Sequence, residues 1–110
     1  MVSEYPFTKI NDLEELNEVL KSNQFVMLDF YADWCGPCKV FDKQIKIASV
    51  KYQNLKIVKI DIDEADEISD EYEVENLPTA LFFHNGDKRS LFMGSKFDLF
   101  HKKVNDLMAS

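Results

Sequence analysis

The segment DFYADWCGPCKVF, residues 29–41, contains both cysteines of the 110-residue chain, Cys35 and Cys38, with one glycine and one proline between them. A continuous apolar run ends just before the cysteines, and apolar residues recur at helical spacing just after them. The two thiols therefore lie at the junction between a predicted strand and a predicted helix. A pair of thiols at such a junction can hold a metal, form a structural disulfide or carry out redox chemistry.

Hydrophobic patterning predicts an alternation of strands and helices along the whole chain. Strands are predicted at residues 7–10, 24–31 and 54–62 and as a hairpin within 78–94 that turns at Asn85-Gly86. Helices are predicted at residues 10–22, 37–52, 63–72 and 95–110. The alternating first half predicts parallel strands with right-handed crossovers, and the hairpin adds an antiparallel pair. The predicted fold is therefore α/β, with helices on both faces of one mixed sheet.

Polar residues and a proline predict where three of the helices begin. Asn11 is expected to cap the first helix, with Glu14 completing a capping box. Pro37 suits the first turn of the second helix, where its missing N–H costs nothing. Ser95 is expected to cap the last helix.

No Pro/Gly/Ser-rich linker divides the chain, so residues 1–110 are predicted to form a single domain.

Charge and the N-terminal sequence restrict the function classes. The 13 basic and 20 acidic side chains give a net charge of −7, which argues against nucleic acid and membrane surfaces as partners. The opening MVSEYPFTKI has no basic start followed by an apolar stretch, so we expect no secretory signal and a cytoplasmic protein. Thiols are kept reduced in that compartment, which favours a catalytic or metal-binding cysteine pair over a structural one.

The alternatives to redox chemistry are poorly supported: three of them lack the ligands they need, and a structural disulfide would contribute little. A structural zinc site takes four ligands, but the chain has no second cysteine pair, and His84 and His101 lie on different predicted elements. Haem attachment requires a histidine directly after the second cysteine, where Lys39 stands. An iron–sulfur cluster requires four thiolates. A structural disulfide across so short a loop would constrain the unfolded chain little.

Redox chemistry has a physical basis in the predicted placement of the two cysteines. At a helix N-terminus, free N–H groups and the positive end of the helix dipole stabilise a thiolate on Cys35. The thiolate is the form that attacks a disulfide. Cys38, one turn further along, is placed to attack the resulting mixed disulfide and release the product. Gly36 lets a substrate backbone approach, and Pro37 stiffens the turn.

Three other residues stand out, each with a plainer interpretation. Asp29 interrupts a buried strand, where an ionised carboxylate is costly, although it could lie at a solvated strand edge. Lys59 lies in the next buried strand and could simply be exposed. Pro78 could simply mark the start of a strand, where proline is permitted.

The segment VMLDFYADWCGPCK closely resembles the active-site segment of the thioredoxin family. The resemblance continues through KIDID, LPT, FFHNG and Gly94, in order and at compatible spacing, and covers nearly the whole chain. It implies the thioredoxin fold, a central five-stranded mixed β-sheet flanked by four α-helices. It also implies a protein disulfide reductase in which Cys35 is the nucleophile and Cys38 the resolving thiol.

The resemblance further implies roles for the residues around the cysteines. Asp29 would be the general base that deprotonates Cys38, with Lys59 beside it. Leu77 and Pro78 would be joined by a cis bond facing the cysteine pair. The client-docking surface would comprise Trp34, Gly36, Pro37, Leu77, Pro78, Met93 and Gly94.

The same resemblance implies the partners: client proteins that contain disulfides and an NADPH-dependent thioredoxin reductase that recharges the pair. It implies a monomer with no bound cofactor or metal. Two other functions stay open on the sequence, an interaction module in which docking matters more than turnover and an oxidase or isomerase of secretory type. Asp42 and Glu75 add negative charge near the site, so we expect a weaker Cys35 nucleophile and weaker binding of acidic clients.

Overall fold

The computed structural model describes residues 7–110, and its element order agrees with the predicted one. The elements are β1 (Thr8–Lys9), α1 (Leu13–Ser22), β2 (Phe25–Tyr31), α2 (Gly36–Lys51), β3 (Leu55–Asp61), α3 (Asp66–Glu71), β4 (Thr79–His84), β5 (Asp87–Met93) and α4 (Phe97–Met108). The first six residues of the predicted domain lie outside the described part. Among residues 7–110, no helix is both long and apolar enough to cross a membrane.

The five strands form one mixed sheet in the order β1-β3-β2-β4-β5. β1 and β2 each pair in parallel with β3, whereas β4 is antiparallel to both β2 and β5. β2 therefore lies between β3 and β4, which explains why its sequence is apolar on both faces. Asp29 is the exception in that strand, and its partners in register are Lys59 on β3 and Ala80 on β4.

Two hydrophobic cores cover the two faces of the sheet. One contains residues of α2 and α4, and its fully buried aromatic side chains include Phe41, Phe82, Phe92 and Phe100. The other packs α1 and α3 against the opposite face, around residues such as Phe30. Burying each such side chain contributes roughly 1.5–3 kcal/mol, so the cores fix the sheet and helices that carry the cysteines.

Two of the predicted helix caps are wrong by one residue each. Asp12, not Asn11, is the N-cap of α1, and its carboxylate accepts the backbone N–H of Glu14 at 2.7 Å. Asn11 instead donates its side-chain amide to Glu64 at 3.3 Å. Ser95 does not cap α4, because Lys96 occupies the N-cap position and no side chain bonds the helix end.

The predicted acidic helix is shorter than expected because the chain first turns around Asp61. The backbone N–H of Ala65 bonds the Asp61 carbonyl at 2.8 Å, and α3 starts only at the next residue. The hairpin prediction is confirmed: Asn85 and Gly86 have φ values of 52° and 86°, both in the left-handed region that a type I′ turn requires. This turn brings the far ends of β4 and β5 together beside the cysteines.

Candidate active site

Cys35 lies at the N-terminus of α2, as the sequence predicts. It is the N-cap residue, and its Sγ accepts the backbone N–H of Cys38 at 3.1 Å. The two cysteines form a disulfide, with their Cα atoms 5.3 Å apart. Both are almost fully buried, with 5% of Cys35 and 4% of Cys38 exposed. The site is therefore described in its oxidised state, with the nucleophile candidate at the free N–H end of a 16-residue helix.

Backbone contacts hold the turn that presents the disulfide. The N–H of Cys35 bonds the carbonyl of Ala32 at 3.1 Å, and the N–H of Ile62 bonds the carbonyl of Tyr31 at 3.0 Å. Ala32 is buried against both cysteines, and Tyr31, Ile62 and Leu77 pack around them. The ends of β2 and β3 thus support the active-site turn from below, so its position follows from the sheet.

Trp34 is the most prominent apolar side chain near the cysteines. It is 69% exposed, yet its indole Nε1 donates a hydrogen bond to Asp63 Oδ2 at 2.9 Å. This bond fixes the ring beside an open groove that reaches Cys35. The groove is lined by Trp34, Cys35, Gly36, Pro37, Ile62, Val74, Glu75, Asn76 and Leu77.

The predicted cis bond between Leu77 and Pro78 is confirmed. Leu77 packs against the cysteines and lines the groove, and Pro78 is buried at the start of β4. Gly94 has a φ of 103°, which L-residues rarely adopt, and it follows directly after the register pair Thr79–Met93. Strand pairing therefore places Pro78 and Gly94 at the same end of the sheet.

The predicted docking residues do not all line one groove. Trp34, Gly36, Pro37 and Leu77 line the groove at Cys35. A Cβ added at Gly36 would meet nothing within 4 Å, so the space beside it is open to a ligand. Met93 is half exposed but lines an adjoining depression, where the amide of Asn76 contacts its sulfur at 3.8 Å. Asn76 borders both depressions.

Asp29 is buried and not at a solvated edge. Only 1% of it is exposed, and Lys59 Nζ lies 2.7 Å from its Oδ2. Apart from this ion pair, neither carboxylate oxygen has a hydrogen-bond partner among residues 7–110. Burial raises the pKa of Asp29 to about 6 even though the Lys59 charge acts to lower it. A carboxyl group with this pKa exchanges protons close to neutral pH.

Lys59 is mostly buried as well, so its interpretation as an exposed strand lysine is wrong. Its side chain is 13% exposed, and its Nζ contacts Asp29 at 2.7 Å and Asp42 at 2.5 Å. It also lies 4.5 Å from the centre of the Tyr31 ring. Burial acts to lower the pKa of Lys59, but the two carboxylates outweigh it and raise that pKa, so the ammonium stays charged.

Comparisons with known proteins agree with this geometry. The family model "Thioredoxin" matches residues 7–106. A thioredoxin from Mycoplasmoides gallisepticum is 41% identical over 87 residues, covering 76% of this chain and 87% of that protein. The crystal structure of oxidised mitochondrial thioredoxin 3 from Saccharomyces cerevisiae superposes with a TM-score of 0.88 at 33% identity, covering 92% of this chain and 95% of that one. The structure of thioredoxin NaTrxh from Nicotiana alata gives a TM-score of 0.86 at 29% identity, covering 97% and 96%.

The chain belongs to the thioredoxin family. Its fold is the thioredoxin fold, and its activity is that of the family, protein disulfide oxidoreduction by dithiol–disulfide exchange. The cysteine pair carries this chemistry without a cofactor. Within residues 7–110, no group of three or more His, Cys, Asp or Glu side chains is placed to hold a metal ion.

Several residues of this thioredoxin site were not predicted from the sequence. Ile62 and Asp63 belong to the KIDID segment, but only the structure shows that one lines the groove and the other bonds Trp34. Val74 lines the groove although nothing in its own sequence context indicates it. Its only available signal was its closeness in sequence to the Leu77-Pro78 pair. Asp42 was expected to add negative charge near the site, and the structure shows in addition that it is paired with Lys59.

Proposed function

We propose that this thioredoxin reduces disulfides in client proteins, with Cys35 as the attacking thiol and Cys38 as the resolving thiol. The observation that carries the assignment is the position of Cys35 as N-cap of α2, with Cys38 in the first turn of the same helix. Once the pair is reduced, the helix N-terminus stabilises negative charge on the sulfur of Cys35 more than on that of Cys38. The groove also opens at Cys35.

The reaction runs as two thiol–disulfide exchanges. The Cys35 thiolate attacks one sulfur of the client disulfide, and the other client sulfur leaves as a thiolate that takes a proton from water. The Cys38 thiol then loses its proton, and its thiolate attacks Cys35 Sγ. The second client sulfur leaves, and Cys35 and Cys38 become joined as in the present structure. Two electrons pass to the client, and the pair is left oxidised.

Asp29 is proposed as the base that takes the Cys38 proton. With a pKa of about 6, most of its carboxyl group is ionised at pH 7 and can accept a proton. It shares Lys59 with Asp42, which follows Cys38 by one helical turn, so this charged cluster lies against the first turns of α2. Lys59 holds the buried carboxylate in place and stays charged throughout.

The groove beside Cys35 is proposed as the docking site for an extended client segment. Its apolar walls suit client side chains, and the chain around Asn76 and Leu77 offers backbone groups for strand-like pairing. Of the residues assigned to docking, Trp34, Gly36, Pro37 and Leu77 line this groove, and Pro78, Met93 and Gly94 are proposed to extend the docking surface beyond it.

Glu75 should make the groove favour positively charged clients, because it is the one charged residue in the lining among residues 7–110. Peptide disulfides flanked by glutamate should therefore have a KM several-fold higher than lysine-flanked ones. Glu75→Gln should reduce the difference in KM between the two kinds of peptide, whereas Glu18→Gln on α1 should leave that difference unchanged. An unchanged KM ratio in Glu75→Gln would show that clients do not pass this residue.

The remaining parts of the cycle are proposed from the family. An NADPH-dependent thioredoxin reductase returns two electrons to the Cys35–Cys38 disulfide. The protein acts as a monomeric single domain in the cytoplasm, with neither nucleic acid nor membrane among its partners, in keeping with its net charge of −7. Its reduction potential should lie in the range of reductants and well below that of isomerases.

Reduction of insulin disulfides by dithiothreitol tests the proposed function. The protein should accelerate precipitation of the insulin B chain well beyond the rate with dithiothreitol alone. Cys35→Ser should abolish the acceleration, and circular dichroism should show that the variant is folded. A folded parent protein that binds oxidised insulin without accelerating its reduction would instead indicate an interaction module.

A further inference from the structure

One cation serves two carboxylates, one on β2 and one on α2, the two elements that come before and after Cys35 in the chain. Lys59 Nζ lies 2.7 Å from Asp29 Oδ2 and 2.5 Å from Asp42 Oδ1. The three side chains come from three elements, β2, β3 and α2, and therefore meet only in the folded protein. With both carboxylates ionised, the cluster carries one negative charge in excess.

The cluster runs from the core to the solvent. The exposed fraction of the side chains rises from 1% for Asp29 through 13% for Lys59 to 39% for Asp42. Asp29 is thus the desolvated end, and Asp42 is the end in contact with water. Asp42 belongs to α2, one helical turn after Cys38, so it lies on the helix that carries both cysteines.

No further charged side chain replaces Asp42 in this role among the described neighbours of Asp29. β3 contributes Lys59, and β4 presents Ala80 in register. On β2 itself, the phenol of Tyr31 lies against Lys59 and is also close to Lys9 and Asp61. Lys9 forms its own ion pair with Glu64, whose Oε1 lies 2.8 Å from the Lys9 Nζ. The balance of charge at Asp29 is therefore decided mainly by Lys59 and Asp42.

We propose that Asp42 is a positioning residue that divides the Lys59 ammonium between two carboxylates and so sets how strongly Asp29 binds a proton. The inference rests on the proposed role of Asp29 as the base for Cys38. Two effects of Asp42 act in the same direction. Its oxygen draws Lys59 partly away from Asp29, and its negative charge repels a negative charge on Asp29. Both effects favour the protonated form of Asp29.

The consequence is that Asp29 becomes a stronger base for the proton of Cys38. If Lys59 served Asp29 alone, the buried carboxylate would be held as a tight ion pair, and its affinity for the Cys38 proton would be lower. Burial is the main cause that raises the pKa of Asp29 to about 6, and the charge of Asp42 acts in the same direction. In that range a base is ionised at neutral pH and still accepts protons readily.

The test is the titration of the Asp29 carboxyl carbon, followed by ¹³C NMR in the oxidised protein. Asp42→Asn keeps an oxygen that can accept from Lys59 but removes the charge. The midpoint for Asp29 should fall by about half a pH unit to one unit, a roughly three- to tenfold loss of proton affinity. Asp42→Glu, which restores the charge, should bring the midpoint back towards that of the parent.

Asp106→Asn is the matched control. It removes a carboxylate that is paired with Lys102 at 2.9 Å on the surface of α4, so the change of net charge is the same. The Asp29 midpoint should move by less than about 0.2 units in this variant. An Asp29 midpoint that moves no further in Asp42→Asn than in Asp106→Asn would overturn the proposal.

The pH profile of insulin reduction separates this inference from the proposed function. In Asp42→Asn the acid limb should shift to lower pH by the same amount as the Asp29 midpoint. A midpoint that shifts while the rate profile stays fixed would support the coupling of Asp42 to Asp29 and would remove Asp29 from the reaction. Loss of the proposed function would thus be seen in the kinetics, and loss of the coupling in the titration.

Discussion

Asp29 and Asp61 are two aspartates of almost equal burial, on neighbouring strands, in very different surroundings. Asp61 is 3% exposed, and its Oδ1 accepts the backbone N–H of Asp63 at 2.9 Å while Lys9 lies 4.0 Å away. Asp29 is 1% exposed, and among residues 7–110 its carboxylate has the Lys59 ammonium as its partner and no backbone N–H. A backbone N–H therefore hydrogen-bonds the carboxylate of Asp61, whereas none bonds the carboxylate of Asp29.

The difference separates a structural carboxylate from one that is available for chemistry. Asp61 organises the turn after β3, which presents Ile62 to the groove and Asp63 to Trp34. Asp29 organises no turn, and Lys59 is the one partner of its carboxylate among residues 7–110. Desolvation makes the charged form of Asp29 costly, Lys59 offsets that cost only in part, and the remaining cost raises the pKa of Asp29.

The largest expected contrast between the two aspartates is in turnover. Asp29→Asn removes the proton acceptor and should slow client reduction at pH 7 by up to about 100-fold, the lower end of the usual contribution of a general base. The deficit should shrink towards pH 9, because Cys38 then ionises without help. Asp61→Asn keeps an oxygen for the Asp63 N–H and should stay within about threefold of the parent.

Stopped-flow measurement of client reduction from pH 6 to 9 would check both variants. Equal rates for Asp29→Asn and the parent over that range would exclude Asp29 from proton transfer. A loss in Asp61→Asn as large as that in Asp29→Asn would remove the distinction between the two residues.

A smaller contrast is expected in stability. The pKa of Asp29 in the folded protein is about 6, against an ordinary value of 3.8, so the folded protein binds an extra proton between these pH values. The free energy of unfolding of the parent should therefore fall, through this group, by about 3 kcal/mol as pH rises from roughly 3 to 8. In Asp29→Asn the free energy of unfolding should not show this fall with rising pH, whereas in Asp61→Asn it should fall as in the parent.

Urea unfolding of the parent and both variants across that pH range measures the effect as a difference between proteins. Asp29→Asn should gain on the parent by about 3 kcal/mol, with most of the gain complete above pH 6. A difference between Asp29→Asn and the parent that stays constant with pH would contradict the raised pKa.

The sequence was a good guide wherever local chemistry decides the outcome. Asn85 and Gly86 formed the expected turn because both residues tolerate positive φ. The strand between residues 25 and 31 was recognised because burial on both faces requires a nearly continuous apolar run, which only Asp29 interrupts. Cys35 was placed at a helix end because the proline two residues later can only belong to a first turn.

The sequence was a poor guide where a one-residue shift or a distant partner decides. Asn11 and Asp12 are both good N-cap residues by type, and only the structure shows that Asp12, with its extended backbone and its side chain bonded to the N–H of Glu14, is the cap. The contact between Lys59 and Asp42 joins residues 17 positions apart on a strand and a helix, and neither residue type indicates its partner. The charge balance at Asp29 therefore became visible only in the structure.

Trapping of mixed disulfides tests the central claim most directly, that Cys35 attacks and Cys38 resolves. Reduced Cys38→Ser and Cys35→Ser are each mixed with an oxidised client, and the covalent products are mapped by mass spectrometry. The account predicts that Cys38→Ser accumulates a disulfide between Cys35 and the client, because no second thiol releases it, while Cys35→Ser accumulates almost none. Accumulation through Cys38 in Cys35→Ser, with little in Cys38→Ser, would reverse the assignment and contradict the account.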